Sequence, residues 1–209
     1  MARILRPRTF FAALVSVTIF VIISALALLP REPHLFPLSH LPRLIVAAET
    51  LVALLFFPLL IYRFRDQNRF SALLIDSLMV FAVSIPFVVL SALITSLNLW
   101  AAIVSQLLYL AMIFLGASLV SHVRSRLGVS VYLLTIFLLI AAIPLTGELI
   151  AQFAFPLNLS AISPINISMQ TVVQRSVPLP TVTVICICIA VAGLLWGTTA
   201  LRREEDKTL

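Results

Sequence analysis

Phe70-Ser-Ala-Leu-Leu-Ile-Asp-Ser-Leu-Met-Val-Phe-Ala-Val-Ser-Ile-Pro-Phe-Val-Val-Leu-Ser-Ala-Leu93, preceded by Arg69, is the stretch whose reading decides the fold class. Its one charged residue is Asp76. A helix of about 20 apolar residues crosses the roughly 30 Å hydrocarbon core of a bilayer, so this run is long enough to span one. A β-barrel strand would be shorter and would alternate apolar with polar residues. This run is continuous and rich in Leu, Val and Ala, so it reads as a helix.

Five more runs of the same kind flank it. The expected spans cover about residues 10–29, 44–62, 70–93, 99–120, 129–150 and 182–201. The predicted class is therefore all-α, a single polytopic transmembrane domain of six helices over residues 1–209. Composition agrees, since 62% of the chain is hydrophobic, 11% is charged and the mean hydropathy is +1.16. A water-soluble domain carries about 25% charged residues to cover its surface. The net charge of +6 does not indicate nucleic acid, because the arginines are scattered over several short loops rather than one face.

The first run follows Arg3, Arg6 and Arg8 and ends near Ala25-Leu26-Ala27, which has the form of a signal-peptide cleavage site. Leu28 and Leu29 prolong it, and it is read as a retained span. Cys186 and Cys188 are the two cysteines, and two positions apart on a helix they point to nearly opposite faces. Neither a disulfide nor a shared metal suits that spacing, so they read as small apolar packing residues.

Orientation follows from basic residues, which concentrate on the cytoplasmic side of membrane proteins. With the N-terminus inside, Arg3, Arg6, Arg8, Arg63, Arg65, Arg69, Arg124, Arg126, Arg202, Arg203 and Lys207 are cytoplasmic. Only Arg31, Arg43 and Arg175 fall outside. Both termini are expected in the cytoplasm. The inner loops at Arg63–Arg69 and Ser121–Gly128 are short, and Thr95–Asn98 is barely a turn. The outer connection Arg31–Arg43 is stiffened by Pro33, Pro37 and Pro42. The longest connection, about Ala151 to Thr181, is outside and rich in apolar residues. Ser163-Pro164 within it is a helix-start pattern, predicting a short helix over Ile165–Arg175 that lies at or in the membrane.

Three carboxylates stand near span ends: Glu49 by the outer end of span two, Asp76 by the inner end of span three, and Glu148 by the outer end of span five. They can form a polar or proton-linked lining. The expectation favoured by their positions is an interfacial carboxylate paired with an arginine or reaching the headgroups. His34 and His40 lie outside and His122 inside, so they cannot meet. The chain has no His-Glu-x-x-His, no Gly-x-Ser-x-Gly and no paired intramembrane aspartates, and its single lysine follows no glycine-rich loop. Neither an enzymatic activity nor a cofactor is expected.

Pro58, Pro86 and Pro144 fall within or near spans and can bend them. Gly193 and Gly197 form a Gly-x-x-x-Gly pair suited to helix packing, within the bundle or between subunits.

The order of these features resembles the permease subunits of type-2 ABC exporters. Three stretches carry the likeness. Leu110-Ala-Met-Ile-Phe-Leu-Gly-Ala-Ser-Leu-Val-Ser-His-Val-Arg-Ser-Arg126 leads directly into an apolar run ending at Pro144. The long outer connection Gly147 to Pro180 includes Ala161-Ile-Ser-Pro-Ile-Asn166, and Leu194-Leu-Trp-Gly-Thr-Thr-Ala-Leu-Arg-Arg203 closes the last span. The likeness covers roughly residues 70 to 205, in hydropathy and loop order. Two features depart from that pattern: only nine residues precede the first span, where such permeases usually begin with an amphipathic interface helix, and Tyr62–Phe70 is short for a segment that docks an ATPase.

The resemblance implies a subunit that dimerises, with itself or a second permease, and couples to a separate cytoplasmic ABC ATPase in a bacterial inner membrane. It points to Arg63, Arg65, Asp66 and Arg69 for the ATPase contact. Glu49, Asp76 and the outer segment Ile162–Met169, with Ile165, are candidates for lining the route of a lipid-like or amphipathic substrate. The alternative is a non-transporting scaffold or anchor subunit of a larger complex, for which short loops and few internal charges suffice.

Overall fold

A computed structural model describes residues 7–28, 40–63, 70–95, 98–123, 125–142, 163–173 and 179–208. The described residues are all-helical, with no strand among them. We number the helices α1 (Pro7–Leu28), α2 (Leu41–Arg63), α3 (Phe70–Thr95), α4 (Leu99–His122), α5 (Arg126–Ala142), α6 (Pro164–Val173) and α7 (Leu179–Thr208). Four helices are long and apolar enough to cross a membrane: α2, α3, α4 and the Thr181–Thr198 part of α7. Within the described residues α1 and α5 contribute shorter apolar stretches, Ala13–Ala25 and Arg126–Ala142.

Local chemistry sets the ends. Asn98 caps α4 by accepting a hydrogen bond from Trp100 N at 3.0 Å, and Ser125 caps α5 by accepting from Gly128 N at 3.0 Å. Each side chain satisfies one of the amide donors that a helix start leaves free. The helix start expected at Ser163-Pro164 is where α6 begins, with the Ser163 carbonyl accepting from Ile167 N at 3.0 Å.

α4 is the hub, packing against α2, α3, α6 and α7, while α1 packs on α2 and α3. In their most apolar windows α2 and α4 are 61% and 56% buried, against 22% for α3 and 17% for α7. The outer faces of α3 and α7 present Ile75, Leu78, Ile85, Val89, Leu93, Ile187, Ile189 and Leu194. Hydrocarbon suits such a surface as a solvent, whereas water does not. The largest core cluster gathers Val52, Phe57, Ile61, Leu73, Leu108, Tyr109, Met112 and Ile113 where α2, α3 and α4 meet.

The backbone of α2 is interrupted. Residues Val52–Phe56 form a π-helical turn, in which Phe57 N–H donates to the Val52 carbonyl, and Pro58 follows at once. Proline has no N–H, so the Leu54 carbonyl four residues earlier lacks its helical donor. Tyr132 of α5 makes up the deficit, its hydroxyl donating to Leu54 O at 2.7 Å. Opposite lies Gly116 of α4: a Cβ there would stand 2.8 Å from Ala53 O, 2.9 Å from Pro58 Cγ and 3.1 Å from the Tyr132 hydroxyl. Glycine lets the hub helix touch the irregular turn directly. Of the other prolines marked for bending, Pro86 lies inside α3, and Pro144 falls outside the described residues.

Candidate functional site

Three helices bring their uncommon polar residues to one level of the interior. Glu49 is the ninth residue of α2, about 12 Å along the helix from Leu41 at 1.5 Å per residue. Gln106 lies about 10 Å along α4 from Leu99, and Ser84 about 16 Å from the C-terminal end of α3. With α3 antiparallel to its two neighbours, these depths coincide. Gln106 Nε2 donates to Glu49 Oε1 at 2.7 Å, and Ser84 Oγ lies 3.0 Å from Gln106 Oε1 and 2.9 Å from Phe81 O. The serine hydroxyl has one proton for two acceptors. Donated to Gln106, it turns the amide so that NH2 faces the carboxyl. Tyr109, one turn after Gln106 on α4, adds a hydroxyl that is buried without a hydrogen-bond partner among the described residues, as is Glu49 Oε2.

Glu49 is 1% exposed and Asp76 is 1% exposed. Glu49 is thus turned inward and pairs with an amide rather than with the expected arginine, and Asp76 is turned inward as well. Along α3, Ser77, Ser84 and Ser91 repeat every seven residues and are all buried, which sets a polar seam on the inward face of a helix otherwise clad in Leu, Ile and Val.

A second set of hydroxyls fastens α6. Thr50, next to Glu49, places Oγ1 3.0 Å from Ser168 Oγ and 2.9 Å from Val46 O, and Ser168 Oγ donates to Pro164 O at 2.8 Å. Thr171 and Thr181 join α6 to α7 through hydroxyls 2.9 Å apart. Ile165 and Met169 of α6 are half-buried. At the other end of α4, Trp196 Nε1 donates to Ser118 Oγ at 3.1 Å, and its ring meets His122 at 5.0 Å and Phe70 at 5.2 Å, edge-on.

The remaining expected site residues separate. Arg63 is exposed at the end of α2, whereas Arg65, Asp66, Arg69 and Ile162 lie outside the described residues, as does Glu148. A Cβ on Gly193 or Gly197 would meet nothing within 4 Å, so this pair faces outward and packs no helix among the described residues. Cys186 is exposed and Cys188 buried, as their spacing requires.

Sequence reasoning passed over Gln106, Ser84 and Tyr109. Gln106 carried a usable signal, because no other Asn or Gln stands within the expected spans. Chemically the cluster can bind and orient one positively charged or hydrogen-bonding group, and it holds no nucleophile–base pair. Compared with known proteins, the chain matches no family model, no curated protein and no solved structure.

Proposed function

We propose that the chain is a permease subunit of an ATP-driven transporter, crossing the membrane six times with both termini in the cytoplasm. The four membrane-length helices supply four crossings, and α1 and α5 supply the others, α5 joined by the apolar run that continues to Ile150. The arginine asymmetry supports this orientation.

The observation that carries transport is the interior set of Glu49, Gln106 and Ser84. Ionisable residues inside a membrane bundle are expensive to keep and mark routes for ions or substrates. An anchor subunit needs none. The π turn begins within one turn of Glu49 and Pro58 follows it, and such breaks let a helix adopt two packings. Two subunits alternating between such packings would open a route, with the energy supplied by an ATPase bound at Arg63, Arg65, Asp66 and Arg69. Glu49, Asp76, Ile162, Ile165 and Met169 would line that route, and the apolar residues of the long outer connection suit a lipid-like or amphipathic cargo.

The test is purification in mild detergent from the native membrane. The expected result is co-elution of a cytoplasmic ATPase whose activity falls when residues 63–69 are exchanged for neutral ones, with assembly retained. If no ATPase ever accompanies the protein, the reading fails. If the exchange abolishes assembly itself, a scaffold subunit replaces it.

A further inference from the structure

Glu49 leaves one oxygen unserved. Oε1 accepts from Gln106 at 2.7 Å, while Oε2 is buried with no hydrogen-bond partner among the described residues. The surfaces around it offer little charge. α4 presents the neutral Gln106 and, a turn further, Tyr109. α3 presents the neutral Ser84, and its Asp76 stands about 12 Å away along that helix. α6 contains no ionisable residue, and the one in α1, Arg8, is at the far end of that helix from the loop that leads into α2. On α2 itself Arg43 precedes Glu49 by six residues, which turns it to another face, and Tyr62 and Arg63 are at the opposite end.

A carboxylate in this setting lacks a positive partner among the described residues, and burying one in that state is costly. One positive charge at Oε2 removes the cost. A dehydrated metal cation asks for about six oxygen ligands. The open side-chain oxygens here among the described residues are Glu49 Oε2 and the Tyr109 hydroxyl, since Gln106 Oε1 already faces the Ser84 hydroxyl. A proton asks for one oxygen.

We propose that Glu49 is a proton-exchange site inside the bundle. A proton from water adds to Oε2, forming the O–H bond of a neutral carboxylic acid, and returns to water when that bond breaks and the carboxylate re-forms. Gln106, held by Ser84, keeps a donor on Oε1 in both states. Thr50 and Ser168 form a hydroxyl pair beside Glu49 where α6 meets α2.

This goes beyond the transport reading, and its test needs neither ATPase nor cargo. The full chain in lipid nanodiscs is switched between acidic and alkaline buffer while infrared difference spectra are recorded. The expected result is a carboxylic-acid carbonyl band that is present in acid, disappears in alkali, is lost in Glu49→Gln, persists in Asp76→Asn and shifts in Tyr109→Phe. Should Glu49→Gln fail to assemble, Glu49→Asp keeps a carboxyl and moves the band instead. Identical spectra for the wild type and the Glu49 variant overturn the proposal. So does a Glu49 band that stays unchanged across the switch, because the proton would then be permanent.

Discussion

Gly116 and Glu49 illustrate opposite ways in which one residue shapes this interior. Gly116 acts by lacking a side chain, so that α4 lies against the Ala53 carbonyl and the Pro58 ring. Overpacking a tight interior costs about 1–3 kcal/mol. Gly116→Val is therefore expected to lower the thermal unfolding midpoint of the purified protein clearly, whereas Gly193→Val, with no neighbour within 4 Å, leaves it unchanged. Equal midpoints for the two variants would contradict this packing. Glu49 acts through a polar group brought where hydrocarbon would be expected, and it accepts a hydrogen bond from an amide on another helix. Its inward turn was not legible in the sequence. Distance from Arg43 suggested a headgroup contact, and nothing local reveals a partner 57 positions away.

At the scale of elements, α2 and α6 carry the features that matter. The π turn of α2 persists because other helices meet its needs: Tyr132 donates to Leu54 O, and Gly116 makes room. α6 is short and is held by side chains, so its hold can be loosened one hydroxyl at a time. An interhelical hydrogen bond in a membrane protein contributes about 0.6 and at most about 1.7 kcal/mol. Replacing Thr50 by Val together with Ser168 by Ala is thus expected to speed amide exchange in residues 164–173 by about 3- to 20-fold, at 1.4 kcal/mol per tenfold. Hydrogen-exchange mass spectrometry reads this directly, and unchanged protection would show that apolar packing alone holds the helix. The start of α6 was legible, because a Ser-Pro pair is a local signal. Its docking on Thr50 was not.

For the whole molecule, the arginine distribution makes a claim about sidedness. In a chain with Cys186 and Cys188 replaced by Ala, a cysteine introduced at Arg124 is expected to react with a membrane-impermeant maleimide only after the cells are opened. One introduced at Arg31 is expected to react in intact cells. Labelling of the Arg124 position from outside would reverse the orientation and remove the inner surface assigned to an ATPase. The same scale explains which helices hide and which do not. α2 and α4 gather the contacts of the bundle, while α3 and α7 turn apolar faces outward, although hydropathy alone pairs α2 with α3 and α4 with α7.

Composition and run length determined by themselves that this chain is helical, because a backbone in hydrocarbon must satisfy its hydrogen bonds internally and long apolar runs do so as helices. That signal is local and additive, so it survives in the sequence. Only the tertiary structure decided that Glu49, Ser84 and Gln106 share one level, that Tyr132 supplies the donor Pro58 lacks, and that α6 closes over Thr50. Each of these depends on the rotation and depth of one helix relative to another. Hydropathy, blind to direction around a helix, does not encode them.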